Sequence, residues 1–206
     1  VIHASSFRDR IIHHALINVI EPIFERIFIY DSYASRINKG THKALTRCDV
    51  FKRKISRNGK LIKNAKNKNE VCGYVLKGDI RHYFETIDHD ILVSMLERKI
   101  KDNKIISLIK KILLNYDSKM PGKGMPLGNY TSQFFANVYL NELDYFVKNV
   151  LRAKYYVRYV DDFILFHCDK GTLLMFLEEI GRFIEKLKIT LHQEKTKIIP
   201  LSKGIP

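Results

Sequence analysis

Two adjacent aspartates between two strand-forming runs constrain the fold of this chain more than any other feature. Asp161 and Asp162 lie between residues 155–160 and 163–167, both rich in β-branched and aromatic residues. Such residues favour strands, so the pattern predicts a hairpin with both carboxylates at its turn. Neighbouring carboxylates repel each other, and flanking aromatic side chains limit solvent screening. A divalent cation would remove that penalty, and a plain acidic turn is the alternative interpretation.

Asp79 is a third carboxylate with a related setting. It follows an apolar strand-like run at residues 71–77 and precedes residues 80–84, Ile-Arg-His-Tyr-Phe. A sheet could bring this acid beside the pair, and a turn or helix cap is the alternative role. In the pair Asp161 and Asp162, hard carboxylate oxygens without nearby His or Cys suit Mg²⁺ rather than Zn²⁺. Three carboxylates around two metal ions are what phosphoryl transfer uses.

The remaining patterns predict an α+β fold with a small sheet covered on one face by helices. Apolar residues at a spacing of three and four predict helices. The predicted helices cover residues 10–28 (with a second helix starting at Pro22), 41–51, 88 or 90–99, 104–114, 131–150 and 173–187. The predicted strands cover residues 71–77, 155–160, 163–167 and 197–201, and Asn58-Gly59 predicts a turn or hairpin tip.

The charge of the chain favours a polyanionic partner, above all nucleic acid. The 206 residues carry 36 Lys and Arg against 22 Asp and Glu, a net charge of +14. Eight positive charges and no acid fall within residues 52–68, which predicts a phosphate-contacting finger or, alternatively, a solvated loop. The three cysteines form no CxxC pair, which indicates reduced cytosolic thiols. No apolar run approaches the ~18 residues of a membrane span, so no membrane partner is expected.

Five blocks of sequence resemble those of reverse transcriptases, in the order found in that family. Tyr159-Val160-Asp161-Asp162 resembles the catalytic box, and residues 75–84 resemble the motif of the first aspartate. Residues 7–25, 124–140 and 192–197 resemble the fingers helix, the loop–helix motif and the motif after the catalytic box. Group II intron and retron enzymes usually carry Pro-Gln-Gly and Ser-Pro in the loop–helix motif. Here Leu127 and Gln133 replace the glutamine and the second proline, which, together with residues 32–42, resembles the enzymes of diversity-generating retroelements.

The resemblance implies a right-hand polymerase in which residues 1–70 form part of the fingers and residues 71–206 the palm. A small antiparallel palm sheet would pack on helices, and the thumb would lie outside this segment, which we expect to be part of a longer protein. The implied activity is RNA-directed DNA synthesis, error-prone because Leu127 cannot donate a hydrogen bond. A group II intron-type reverse transcriptase with maturase activity and a non-enzymatic RNA-binding relative are the alternatives.

The resemblance also assigns residues to roles. Two Mg²⁺ ions, replaceable by Mn²⁺, would be held by Asp79, Asp161, Asp162 and the main-chain carbonyl of Ile80. Lys195 would protonate the leaving pyrophosphate or contact phosphate. Phe84 would exclude the ribose 2′-hydroxyl, and Leu127 and Gly128 would contact the nucleotide. The expected nucleic-acid contacts are Arg8, Arg10, Arg36, Lys60, Lys63, Lys66 and Lys68.

The implied partners are an RNA template, a DNA or RNA primer and deoxynucleoside triphosphates, with a basic accessory protein as a further partner. A bacterial or phage-encoded cytoplasmic protein is expected.

Overall fold

The computed structural model describes residues 6–61, 63–64, 69–116, 120–126 and 128–203. Three residues with predicted roles, Lys66, Lys68 and Leu127, lie outside the described residues. The chain divides into two compact units. The helical unit comprises Val1–Ile29, His82–Asp144 and Ile184–Ile189, and the sheet unit comprises Tyr30–Arg81, Tyr145–Phe183 and Thr190–Pro206. The division into fingers and palm at residue 70 stays a prediction.

Apart from the short α3, which has no predicted counterpart, the helices begin and end close to the boundaries that the sequence predicts. Their bounds are α1 Phe7–Glu25, α2 Thr41–Ile55, α3 Tyr83–Thr86, α4 His89–Glu97, α5 Asn103–Leu114, α6 Tyr130–Tyr145 and α7 Lys170–Lys186. Aspartates cap two of them, because the carboxylate of Asp88 accepts from the N–H of Ile91 and that of Asp102 from the N–H of Lys104. Such caps pair main-chain donors that the first turn leaves unsatisfied.

Four strands form one antiparallel sheet in the described part of the chain. They are β1 (Tyr74–Gly78), β2 (Tyr155–Tyr159), β3 (Asp162–His167) and β4 (Lys197–Pro200). Their order across the sheet is β2-β3-β1-β4, and all three pairings are antiparallel. The predicted α+β class with a small antiparallel sheet is therefore confirmed.

Helix α2 covers one face of this sheet. Its buried Ala44 and Phe51 join residues of β1, β2 and β3 in one apolar cluster. The buried members of the cluster are Tyr33, Ala44, Phe51, Val75, Val157, Phe166 and Leu201. Burying one large apolar side chain contributes about 1.5–3 kcal/mol, so this cluster fixes the sheet against α2.

The helical unit has its own core. Ile17, Ile20 and Phe24 form the buried side of α1, and Phe134 of α6 meets Phe24 edge-on with ring centroids 5.6 Å apart. The phenol of Tyr83 donates to the carbonyl of Ala136 at 2.7 Å, which joins α3 to α6.

One local prediction is wrong, and two are confirmed with a different local geometry. Pro22 does not start a second helix but lies inside α1, three residues before its end. Proline inside a helix removes one main-chain hydrogen bond, and the buried Ile20 and Phe24 on either side pack the helix in the core. The turn predicted at Asn58-Gly59 is confirmed, but it is not a hairpin tip, since it is a 3-10 turn, Arg57–Gly59, that directly follows α2. The helix predicted to run to about residue 150 is confirmed, but its α-helical part, α6, ends at Tyr145, and a π-helical turn, Phe146–Val150, continues it.

Candidate active site

The β2–β3 hairpin presents the two adjacent aspartates. Tyr159 pairs with Asp162, so only Val160 and Asp161 form the loop between the strands. Asp161 is half-buried in the turn, whereas Asp162 is exposed and is the first residue of β3. The prediction of a hairpin with acids at its turn is therefore confirmed, with Asp162 one position inside the strand.

Asp79 comes to the same end of the sheet through the pairing of β1 with β3. In this antiparallel register Gly78 lies opposite Phe163. One position further towards this end of the sheet lie Asp79, which follows β1, and Asp162, the first residue of β3. The sheet thus brings together three carboxylates that are far apart in sequence.

Gly78 is required for this arrangement. A Cβ atom built on Gly78 would lie 2.1 Å from the ring of Phe163. The absence of a side chain leaves room for the buried ring of Phe163 against Gly78, the residue before Asp79.

The three carboxylates interact electrostatically. Burial is the main cause that raises the pKa of Asp161, and the charges of Asp162 and Asp79 raise it further. Partial desolvation also raises the pKa of Asp162, although its side chain is largely exposed, with a second contribution from Asp79. Lys195 opposes both shifts. A cluster of anions that destabilise one another in a partly buried site fits a cation of high charge.

The donor set fits hard divalent cations, although the carboxylates are not arranged as a preformed cage. Among the described residues, no group of three or more His, Cys, Asp or Glu side chains has the geometry of a metal site. The oxygen-only chemistry of Asp79, Asp161 and Asp162 nevertheless matches the preference of Mg²⁺, which keeps several water ligands and needs few from protein. These residues could therefore hold such ions together with water and substrate phosphates.

The segment before β4 holds Asp79 in place. The carbonyl of Asp79 accepts from the N–H of His192 at 2.8 Å, and its N–H donates to Oγ1 of Thr196 at 3.4 Å. Nζ of Lys195 lies 3.4 Å from Oδ2 of Asp79. Ile80 is buried and forms an isolated bridge with Leu191. Sequence reasoning selected Lys195 and Ile80 but missed Thr196, whose only signal was its place beside Lys195 in a motif-like block.

Main-chain hydrogen bonds join the predicted nucleotide-binding residue Phe84, and Ile87 after it, to the loop before α6. The carbonyl of Phe84 accepts from the N–H of Met125 at 2.7 Å, and that of Ile87 accepts from Gly124 at 2.8 Å. Phe84 is half-buried, and its ring meets that of Tyr83 at 5.4 Å. Gly128 is exposed, with φ of 102°. The loop before α6 is thereby fixed to α3, while the contacts of Phe84 and Gly128 with a nucleotide stay predictions.

The predicted nucleic-acid contacts fall on several surfaces. Arg8 and Arg10 are exposed on α1, and Arg10 lines a cavity of about 160 Å³ together with His14 and Tyr130, whose rings stack at 4.7 Å. The guanidinium of Arg36 donates to the carbonyl of Ser32 at 2.8 Å. Lys60 and Lys63 are exposed.

A family model and individual known proteins both match the sequence of this chain. Residues 1–203 match the model of the family described as reverse transcriptase (RNA-dependent DNA polymerase). The chain is 34% identical over 148 residues to an uncharacterised 91 kDa protein in the cob intron of Schizosaccharomyces pombe, covering 69% of this chain and 16% of that protein. It is 31% identical over 147 residues to the group II intron-encoded protein LtrA of Lactococcus lactis, covering 69% of this chain and 22% of LtrA. The chain thus spans less than a quarter of either relative.

Solved telomerase structures share the fold. The chain aligns with a telomerase from Candida albicans, in complex with a fragment of telomeric RNA, at a TM-score of 0.64 and 14% identity, covering 96% of this chain and 36% of that one. An apo telomerase from Candida tropicalis aligns at a TM-score of 0.60 and 16% identity, covering 92% and 39%. In the part of the chain that the structure describes, no helix is long and apolar enough to cross a membrane.

Proposed function

The chain belongs to the reverse transcriptase family, and from this premise we propose that it is the catalytic part of an enzyme that copies an RNA template into DNA. The observation that carries the proposal is the convergence of Asp79, Asp161 and Asp162 at one end of the sheet. The substrates would be an RNA template, a DNA or RNA primer and deoxynucleoside triphosphates. A basic accessory protein and a cytoplasmic, bacterial or phage origin remain parts of this proposal.

The three carboxylates and the carbonyl of Ile80 would hold two divalent cations, Mg²⁺ or in its place Mn²⁺. When bound, these ions would activate the attacking 3′-hydroxyl and stabilise the leaving pyrophosphate. The protein supplies a fixed set of oxygen ligands, because Asp79 is held by the His192 and Thr196 contacts and Asp161 by the two-residue turn. Lys195, which lies beside Asp79, would give a proton to the pyrophosphate or contact its oxygens.

Substitution of Asp161 tests the proposal directly. Asp161→Asn in the whole protein should reduce primer extension below detection, because it removes a carboxylate ligand while keeping the size of the side chain. RNA binding, measured by fluorescence anisotropy, should stay within about two-fold, since a carboxylate does not attract phosphate. Asp90→Asn is the matched control, because Asp90 is exposed on α4. Normal extension by Asp161→Asn would refute the proposal.

The names of the relatives favour a second candidate function. LtrA is called a group II intron-encoded protein, and a relative from Arabidopsis thaliana, 31% identical over 110 residues, is called a nuclear intron maturase. The whole protein could therefore assist RNA splicing as well as copy RNA. A splicing assay with the intron or RNA encoded beside its gene decides the question. Splicing that needs the protein but survives Asp161→Asn would support the maturase function.

The resemblance to the enzymes of diversity-generating retroelements implies low fidelity of DNA synthesis. In most of the resembled family a glutamine stands where this chain has Leu127, which offers no hydrogen bond to the nucleotide. A net hydrogen bond contributes about 0.5–1.5 kcal/mol, and about 1.4 kcal/mol corresponds to ten-fold in rate. Leu127→Gln should therefore lower misincorporation by a few-fold up to about ten-fold, measured opposite each template base. Unchanged or increased misincorporation in a normally folded variant would contradict this proposal.

A further inference from the structure

A fully buried arginine lies on β2, close to the catalytic turn. Arg158 has 0% of its surface exposed. Its guanidinium donates to the main-chain carbonyl of Val160 at 2.9 Å. Arginine is almost never fully buried without partners, because removing the charge from water is costly. This buried guanidinium is bonded to the turn that carries Asp161.

Val160, which accepts this hydrogen bond, has an unusual main-chain conformation. Its φ is 54°, in the left-handed region. Among the described non-glycine residues with positive φ, Val160 is the one with a β-branched side chain. Such residues avoid this region for steric reasons, whereas glycine adopts it freely. Strained backbone persists where surrounding contacts determine it, and it concentrates at functional sites.

The main chain of Arg158 is itself fixed on both sides. Within the hairpin it pairs with Phe163. On the other side its N–H donates to the carbonyl of Asp31 at 2.9 Å, and its carbonyl accepts from the N–H of Tyr33 at 3.0 Å. Because the main chain of Arg158 is held in place, its guanidinium reaches Val160 from a fixed position. A hydrogen bond from such a donor can hold the carbonyl of a strained residue in one orientation.

We propose that Arg158 is a positioning residue that holds Val160 in the left-handed conformation and so fixes the direction in which Asp161 and Asp162 project. Arg158 lies three residues before Asp161. Its strand is paired on both sides at this residue, and its guanidinium donates a hydrogen bond to the turn. The kinetic consequence rests on the proposed polymerase function, whereas the structural consequence does not.

A double-mutant cycle tests the coupling. Arg158→Lys keeps the positive charge but loses the planar fork of donors, and Val160→Gly removes the strain without touching Arg158. Both variants and their combination are compared in the whole protein by primer extension and by thermal unfolding. Arg158→Lys should lower kcat by on the order of ten-fold or more, because small misplacements of reacting groups are costly, with little change in KM for template and primer. In the Val160→Gly background the same substitution should lower kcat by no more than about three-fold, since glycine needs no restraint.

Each outcome decides the proposal. An equal loss of kcat from Arg158→Lys in both backgrounds would overturn it, because Arg158 would then act independently of Val160. If Arg158→Lys does not fold, rescue of folding by Val160→Gly supports the proposal and failure of rescue overturns it. Arg98→Lys is the matched control, since the Arg98 guanidinium pairs with Glu142 at the surface, and its kcat and folding should not change. If the wild-type protein extends no primer, the proposed function fails, and the unfolding cycle still tests Arg158.

Discussion

At the scale of single residues, the candidate site depends on main-chain contacts as much as on the carboxylates. Asp79 is oriented by the N–H of His192 and the hydroxyl of Thr196, and Gly78 makes room for Phe163. None of these three supporting residues carries the chemistry. They determine where the carboxylates lie, and the proposed metal-dependent reaction would be sensitive to that placement.

Phe84 offers a test of nucleotide selection at this scale. Replacing the half-buried ring by Phe84→Ala should open space near the sugar and raise incorporation of ribonucleotides relative to deoxynucleotides, by roughly 10- to 200-fold on the scale of a changed steric pocket. The measurement is the ratio of kcat/KM for matched ribo- and deoxynucleoside triphosphates. Phe7→Ala, at an exposed ring on α1, is the control. An unchanged ratio with normal folding would mean that Phe84 serves the core alone.

The sequence was sufficient to select the three aspartates, because their residue type and flanking runs already suggest the chemistry. Their convergence could not be derived from periodicity, since it depends on the register of Gly78 with Phe163, which is a long-range property. The left-handed conformation of Val160 was unpredictable for a different reason. Local propensity argues against it, and tertiary contacts impose it.

At the scale of helices and strands, periodicity located most elements and failed where local signals were ambiguous. Proline usually marks a helix start or end, yet α1 continues through Pro22. The buried residues on either side, Ile20 and Phe24, stabilise the helix more than the loss of one hydrogen bond destabilises it. Asn-Gly usually marks a hairpin, yet Asn58 adopts its left-handed conformation after a helix. Both signals identify backbone geometry correctly and leave open which elements they join.

The cap of α4 gives an element-scale prediction. Asp88 accepts from the N–H of Ile91 and pairs with Nζ of Lys188 at 2.6 Å. Asp88→Ala should lower the free energy of unfolding by about 0.5–2 kcal/mol through loss of the cap. Asp88→Asn keeps a good cap and loses only the partly exposed ion pair, worth about 0–1 kcal/mol. Urea unfolding at pH 7 measures both.

The same carboxylate gives a pH dependence of known sign. Burial opposes its ionised form, but the bonds from Lys188 and Ile91 outweigh burial and lower the pKa of Asp88. A lowered pKa means that its stabilisation is present above the unfolded pKa of about 3.9 and is lost as pH falls through the folded value. The difference between wild type and Asp88→Asn should therefore vanish in strong acid. A difference that persists there would show that Asp88 acts without its charge.

At the scale of the whole molecule, the net charge of +14 predicts strong electrostatic attraction to RNA. Replacing Lys60, Lys63, Lys66 and Lys68 by glutamine should weaken RNA binding and reduce the log–log salt slope by about 0.7 for each phosphate that the variant no longer binds. The slope is obtained from binding titrations at several salt concentrations. Four glutamines at exposed lysines outside this segment, Lys99, Lys101, Lys104 and Lys186, form the control. Equal slopes for the two variants would show that the basic segment has no special role in RNA binding.

The order of the strands has a consequence for folding during synthesis on the ribosome. Strand β1 lies in the middle of the sheet, but both of its neighbours, β3 and β4, follow much later in the chain. A nascent chain therefore carries an apolar strand with two unpaired edges until residues near 165 and then 198 have emerged. Unpaired edges invite association with other chains, and long-range pairing is slow. Translation pauses between β1 and β3 should consequently favour aggregation more than pauses after β4.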